Sequence, residues 1–113
     1  MTDPSIQPEV NAALDRMWMQ FLPQIEERVA VLEAASQALS TGELSDELRD
    51  AAQAAAHKLA GVLGTFGLMK GTILAREAEM QFSGDADPAS APQLTEIAGQ
   101  LRSLIAERKY GNS

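Results

Sequence analysis

The sequence predicts an all-α protein built as an antiparallel helix bundle, and three observations carry that expectation. Alanine is abundant while β-branched residues are sparse, no segment alternates apolar and polar residues as a half-buried strand does, and apolar residues recur at helical spacing along most of the chain. Short loops between long amphipathic segments favour neighbours that run in opposite directions. At 113 residues the chain fits one domain, 1–113, long enough to bury about two thirds of its unfolded surface without a staple.

Residues 8–22, "PEVNAALDRMWMQFL", open with proline near a first helical position and carry Val10, Leu14, Met17, Trp18, Phe21 and Leu22 at helical spacing. Pro23 is expected to break or kink the chain there, because it lacks the N–H that an interior helical residue donates. A second amphipathic helix follows, with Ile25, Val29, Leu32 and Leu39 on one face, and ends at Gly42. Ser45 is the natural N-cap of a third helix over about 46–66, with Asp46 and Glu47 in its first turn, where the helix dipole favours negative charge. Leu68, Ile73, Leu74, Ala78 and Phe82 supply the apolar face of a fourth helix. The stretch "SGDADPASAP" reads as a loop, and Leu94, Ile97, Leu101, Leu104 and Ile105 define a last helix before a frayed "YGNS" tail.

Composition removes whole classes of function. There is no cysteine and one histidine, so thiol chemistry, disulfides and Cys- or His-rich metal sites are excluded. The N-terminus has no basic region followed by an apolar one, and no run of about 20 apolar residues exists to span a membrane. A soluble, cytoplasmic protein is expected. Nine basic against sixteen acidic residues give a formal charge of −7, which disfavours nucleic acid and anionic membranes as partners.

The lone histidine, His57, sits in "AAQAAAHKLAGVLGTFGLMKG", a helical stretch that also contains Gly61, Gly64, Gly67 and Gly71. Each interior glycine costs roughly 1 kcal/mol relative to alanine, so their number needs a reason. With about 100° per residue, Leu48, Ala52, Ala55, Leu59, Val62 and Phe66 cluster opposite His57, whereas Asp50, Gln53, Gly61 and Gly64 cluster around it. The imidazole is therefore expected to face solvent on a polar, small-residue stripe, with Gln53 an expected neighbour of the ring. Bare backbone at Gly61 and Gly64 would let another protein bring a reactive group up to the ring, while Gly67 and Gly71 are expected to serve the turn into the next helix. No triad-like set and no phosphate-cradling loop accompanies His57, so nucleophilic capture of a delivered group suits it better than general-base catalysis. Lys58, about 100° round the helix, has the reach to meet a phosphoryl group on the ring.

These residues resemble the histidine-containing phosphotransfer (HPt) family of two-component signalling. His57, Leu59, Gly61, Gly67 and Leu68, with Phe66 before the second glycine, follow its pattern, and "ILAREAEM" resembles its next helix. The resemblance implies a four-helix antiparallel bundle with an additional N-terminal helix, and a phosphoryl group carried on Nε2 of His57 in a multistep phosphorelay. It implies exchange with the aspartate of a receiver domain in a response regulator or hybrid histidine kinase. Magnesium would belong to the receiver, and the carrier, a monomer, would need no cofactor and have no kinase activity of its own. Glu79 matches a position where some members place a polar group near the imidazole. The chain departs from the pattern at Ala60, where many members carry a basic residue; Lys58 is the basic residue that remains. The alternative that this departure supports is a helical adaptor that docks on a signalling partner without being phosphorylated.

Overall fold

The computed structural model describes residues 7–84 and 87–110, with side chains over 11–84 and 87–108. The described residues form an all-helical fold, with four α-helices among them: α1 (Gln7–Ser40), α2 (Asp46–Thr65), α3 (Met69–Ser83) and α4 (Ala91–Tyr110). A single 3-10 turn, Pro88–Ser90, leads into α4, so the second half of the expected 83–92 loop is regular structure. Asp87 caps this turn, its carboxylate accepting from the Ala89 N–H at 2.9 Å. Helix α1 borders α2 and α4, and α3 borders the same two from the other side. Val10 and residues 111–113 fall outside the described side chains.

The break expected at Pro23 does not occur, and α1 is one helix of 34 residues in place of two segments. Its buried stripe explains this: Trp18, Leu22, Ile25, Val29, Leu32, Ser36 and Leu39 recur at alternating spacings of four and three straight through the proline. Pro23 lies on the exposed side of α1, and what it forfeits is one bond to the Met19 carbonyl, on a residue that is itself exposed. An interior proline costs about 3 kcal/mol, and burying two or three large side chains on the flanking turns, at about 1.5–3 kcal/mol each, exceeds it.

Both interhelical turns next to α2 are closed by glycines with positive φ, as their sequence positions imply. Gly42 (φ 74°) and Gly67 (φ 77°) hold conformations that a side chain would strain. At the first, Gly42 and Glu43 donate to the Leu39 and Ala38 carbonyls; at the second, Gly67 and Leu68 donate to those of Gly64 and Leu63. This is the Schellman pattern that satisfies the last carbonyls of a helix. Ser45 opens α2 as expected, its hydroxyl oxygen accepting from the Leu48 N–H at 3.0 Å.

One core joins all four helices, and it is built largely from small residues on α2 and α3. Ala52, Ala55, Ala56, Leu59, Ala60 and Leu63 of α2 meet Ala75, Ala78 and Phe82 of α3, while Leu94, Ile97, Ala98, Leu101 and Ile105 of α4 close the other side. Ile73 departs from expectation: it is 64% exposed, on the outer face of α3, because its neighbour Leu74 turns inward instead. Trp18 anchors α1 to the α2–α3 turn through an edge-on contact with Phe66, with ring centroids 5.2 Å apart. The Arg108 guanidinium stacks over the same indole at 5.4 Å and pairs with Asp15 at 2.9 Å, tying α4 to α1.

Candidate functional site

Helices α2 and α3 run antiparallel, and their small residues set how closely they approach. Going up α2, His57, Ala60 and Leu63 meet Glu79, Thr72 and Gly71, respectively, going down α3. A Cβ on Gly71 would stand 2.9 Å from Leu63 Cδ1, closer than packed carbons tolerate. Gly71 is thus a packing glycine inside α3, not part of the preceding turn. Gly64 also has an internal role, since a Cβ there would come within 3.2 Å of the Thr72 hydroxyl. That buried hydroxyl donates across the seam to the Ala60 carbonyl at 3.0 Å.

On the solvent side of this seam stands His57. Its side chain is 75% exposed, as the helical projection expects, and Nδ1 lies 2.9 Å from Glu79 Oε2. A carboxylate only accepts, so in the neutral ring Nδ1 carries the proton and donates it to Glu79. Nε2 is then left with its lone pair directed to solvent, the form of imidazole that attacks an electrophile. Of the two expected ring neighbours, Glu79 is bonded to the imidazole, whereas Gln53 is half-buried one turn earlier and makes no hydrogen bond to it.

Gly61, one turn beyond His57, is exposed, and a Cβ there would meet nothing within 4 Å. The backbone is therefore bare beside the ring, and no internal packing demands a glycine. Lys58 is exposed, with no ion pair among the described residues, and projects from the side of α2 turned away from α3. Ala60 is 6% exposed and lies within the seam. Across the seam, the outer face of α3 holds Met69, Ile73 and Met80, all exposed and within roughly 40° of one another. Sequence periodicity missed this apolar strip because it assigned Ile73 inward. Among the described residues no group of acidic residues and histidine is arranged to hold a metal, and no helix is long and apolar enough to cross a membrane.

The site thus consists of an exposed imidazole in the middle of a helix, hydrogen-bonded to a carboxylate from the next helix and flanked by bare backbone, with one ring nitrogen open to solvent. The chain belongs to the Hpt domain family, whose match runs over residues 16–109 and includes every residue of this site. Among curated proteins it is similar to Protein RcaC of Microchaete diplosiphon, with 33% identity over 101 residues. That alignment covers 88% of this chain and 16% of RcaC, so the chain spans about one sixth of that relative. No solved structure matches it. Hpt domains are phosphocarriers of two-component signalling and are distinct from kinases.

Proposed function

We propose that this domain carries a phosphoryl group on Nε2 of His57 in a multistep phosphorelay, exchanging it with the aspartate of a receiver domain in a response regulator or hybrid histidine kinase. The observation that carries the reading is the exposed ring whose Nδ1–H is held by Glu79 at 2.9 Å. In the forward step the Nε2 lone pair forms the bond to phosphorus, the bond from phosphorus to the aspartyl oxygen breaks, and its electron pair returns to the receiver carboxylate. The ring keeps its Nδ1 proton and becomes positively charged, and the Glu79 carboxylate offsets that charge across the hydrogen bond. Reversal of the same step donates the group onward.

Lys58 neutralises part of the phosphoryl charge from the α2 side, and bare backbone at Gly61, continued by the small Gly64, leaves room for the partner's active-site loops. The exposed Met69, Ile73 and Met80 beside the site fit an apolar contribution to docking. The reading treats the chain as a monomeric, cytoplasmic antiparallel four-helix bundle that needs no cofactor of its own.

Incubation with a phosphorylated receiver domain tests it. Acid-labile phosphate should appear on the wild-type chain and be absent from His57→Gln. Stable docking without any phosphate on the chain would overturn the carrier reading in favour of an adaptor.

A further inference from the structure

The phosphoryl group would arrive with two negative charges beside a third, the Glu79 carboxylate. One exposed lysine is a modest counterweight, which raises the question of what else near the ring is positive. Position 60 supplies nothing, since alanine stands there.

The seam register identifies a second cation. The pairs His57–Glu79 and Gly64–Thr72 bracket about two turns of each helix. Gly61 is four residues after His57 and three before Gly64; Arg76 is three before Glu79 and four after Thr72. Arg76 is thus level with Ala60 across the seam, about 4.5 Å along the axis from the His57–Glu79 pair, and Gly61 stands about 1.5 Å further along α2. Ala75 is fully buried, and Arg76, about 100° further round α3, turns to the solvent side where His57 stands. Arg76 is exposed and makes no ion pair among the described residues; Glu79, three residues on, is engaged by His57 instead. Beside that level α2 shows the bare backbone of Gly61, where nothing lies within 4 Å of a Cβ position, and the alanine at 60 is too short to obstruct a side chain from α3.

We infer that Arg76 is a phosphoryl-binding residue, its guanidinium reaching across the seam past Ala60 and Gly61 to meet the group on His57 from the α3 side while Lys58 meets it from the other. The inference rests on the carrier reading. It gives Gly61 a second purpose, because any side chain there would stand in the path of the guanidinium. Arginine suits this task, since its planar fork donates two parallel hydrogen bonds to phosphoryl oxygens where lysine offers a point charge.

The test phosphorylates the full chain with phosphoramidate, a small donor that needs no protein partner, and compares wild type with Arg76→Ala, Arg76→Lys and Lys70→Ala. The readouts are the phosphorus-31 chemical shift of phospho-His57, its hydrolysis rate, the rate of exchange with a receiver, and the melting temperature. Arg76→Ala should move the phosphorus resonance, change the hydrolysis rate and slow exchange about tenfold with an unchanged melting temperature, as loss of a charge-assisted hydrogen bond to the transferring group requires. Arg76→Lys, which keeps the charge and loses the fork, should recover part of the exchange rate, and Lys70→Ala should match wild type. A resonance and hydrolysis rate in Arg76→Ala indistinguishable from wild type would overturn the inference. If wild type takes phosphate from phosphoramidate but exchanges with no receiver, the carrier reading fails, while the resonance still reports whether Arg76 touches the anion.

Discussion

His57 Nδ1 and Glu79 Oε2 lie 2.9 Å apart, joining two residues 22 positions apart in the chain across the α2–α3 seam. The bond decides which ring nitrogen is free. It predicts that Glu79→Ala slows phosphoryl acceptance by about tenfold or more, as loss of a charge-assisted hydrogen bond to a charging ring requires. Glu79→Gln, which retains an accepting oxygen, should lose less. Transfer rates from a phosphorylated receiver measure both; equal rates in wild type and Glu79→Ala would remove the orienting role.

Gly61 and Gly71 are predicted to respond oppositely. Gly61→Glu should hold or raise the melting temperature, since helix propensity improves by up to about 1 kcal/mol at a site with open space, while docking and transfer are largely lost. Gly71→Ala should destabilise by about 1–3 kcal/mol, because the new methyl meets Leu63 Cδ1 inside a packed seam. Thermal unfolding of the two variants decides the matter. A Gly61→Glu protein that melts early would mean that this glycine serves packing.

Pro23 tests why α1 is continuous. Pro23→Ala restores one N–H to the Met19 carbonyl on an exposed face and should stabilise the domain by about 1–3 kcal/mol, the gain limited by the greater freedom of the unfolded chain. No change in denaturant midpoint would mean that the proline sits in α1 without cost.

Glu33 and Arg102 join α1 to α4 through two hydrogen bonds, of 2.8 and 2.7 Å. The Arg102 hydrogen bonds hold the Glu33 carboxyl below its usual range, and Glu33 in turn raises the guanidinium. Because the folded-state value of Glu33 is the lower one, this pair stabilises the fold above the unfolded carboxylate range and the contribution is lost as pH falls through the folded value. Both side chains are more than a third exposed, so the effect is under about 1 kcal/mol. Stability of Glu33→Gln measured at neutral pH and at acid pH should differ from wild type only at neutral pH; a constant gap would contradict this.

Much of the architecture was legible in the sequence because helices are local. Ser45, Gly42 and Gly67 mark helix ends through bonds made within a few residues, and the stripe from Leu48 to Phe66 put His57 on the solvent side without knowledge of any partner helix. The family pattern around His57 is likewise a local one, and the match over residues 16–109 agrees with it. Even the continuity of α1 was written in the unbroken spacing from Trp18 to Leu39, although the intrinsic cost of Pro23 pointed the other way.

What only the tertiary structure decided lies between helices. That Gly71 and Gly64 admit Leu63 and Thr72, that Ile73 faces out, that Glu79 reaches the imidazole and that Arg76 stands level with Ala60 all follow from the register of α2 against α3. That register is set by which small residues interlock across the seam, a joint property of two segments that no periodicity within either one contains. A single helix therefore determines which of its faces is polar, and its packing partner determines which side chains meet the histidine there.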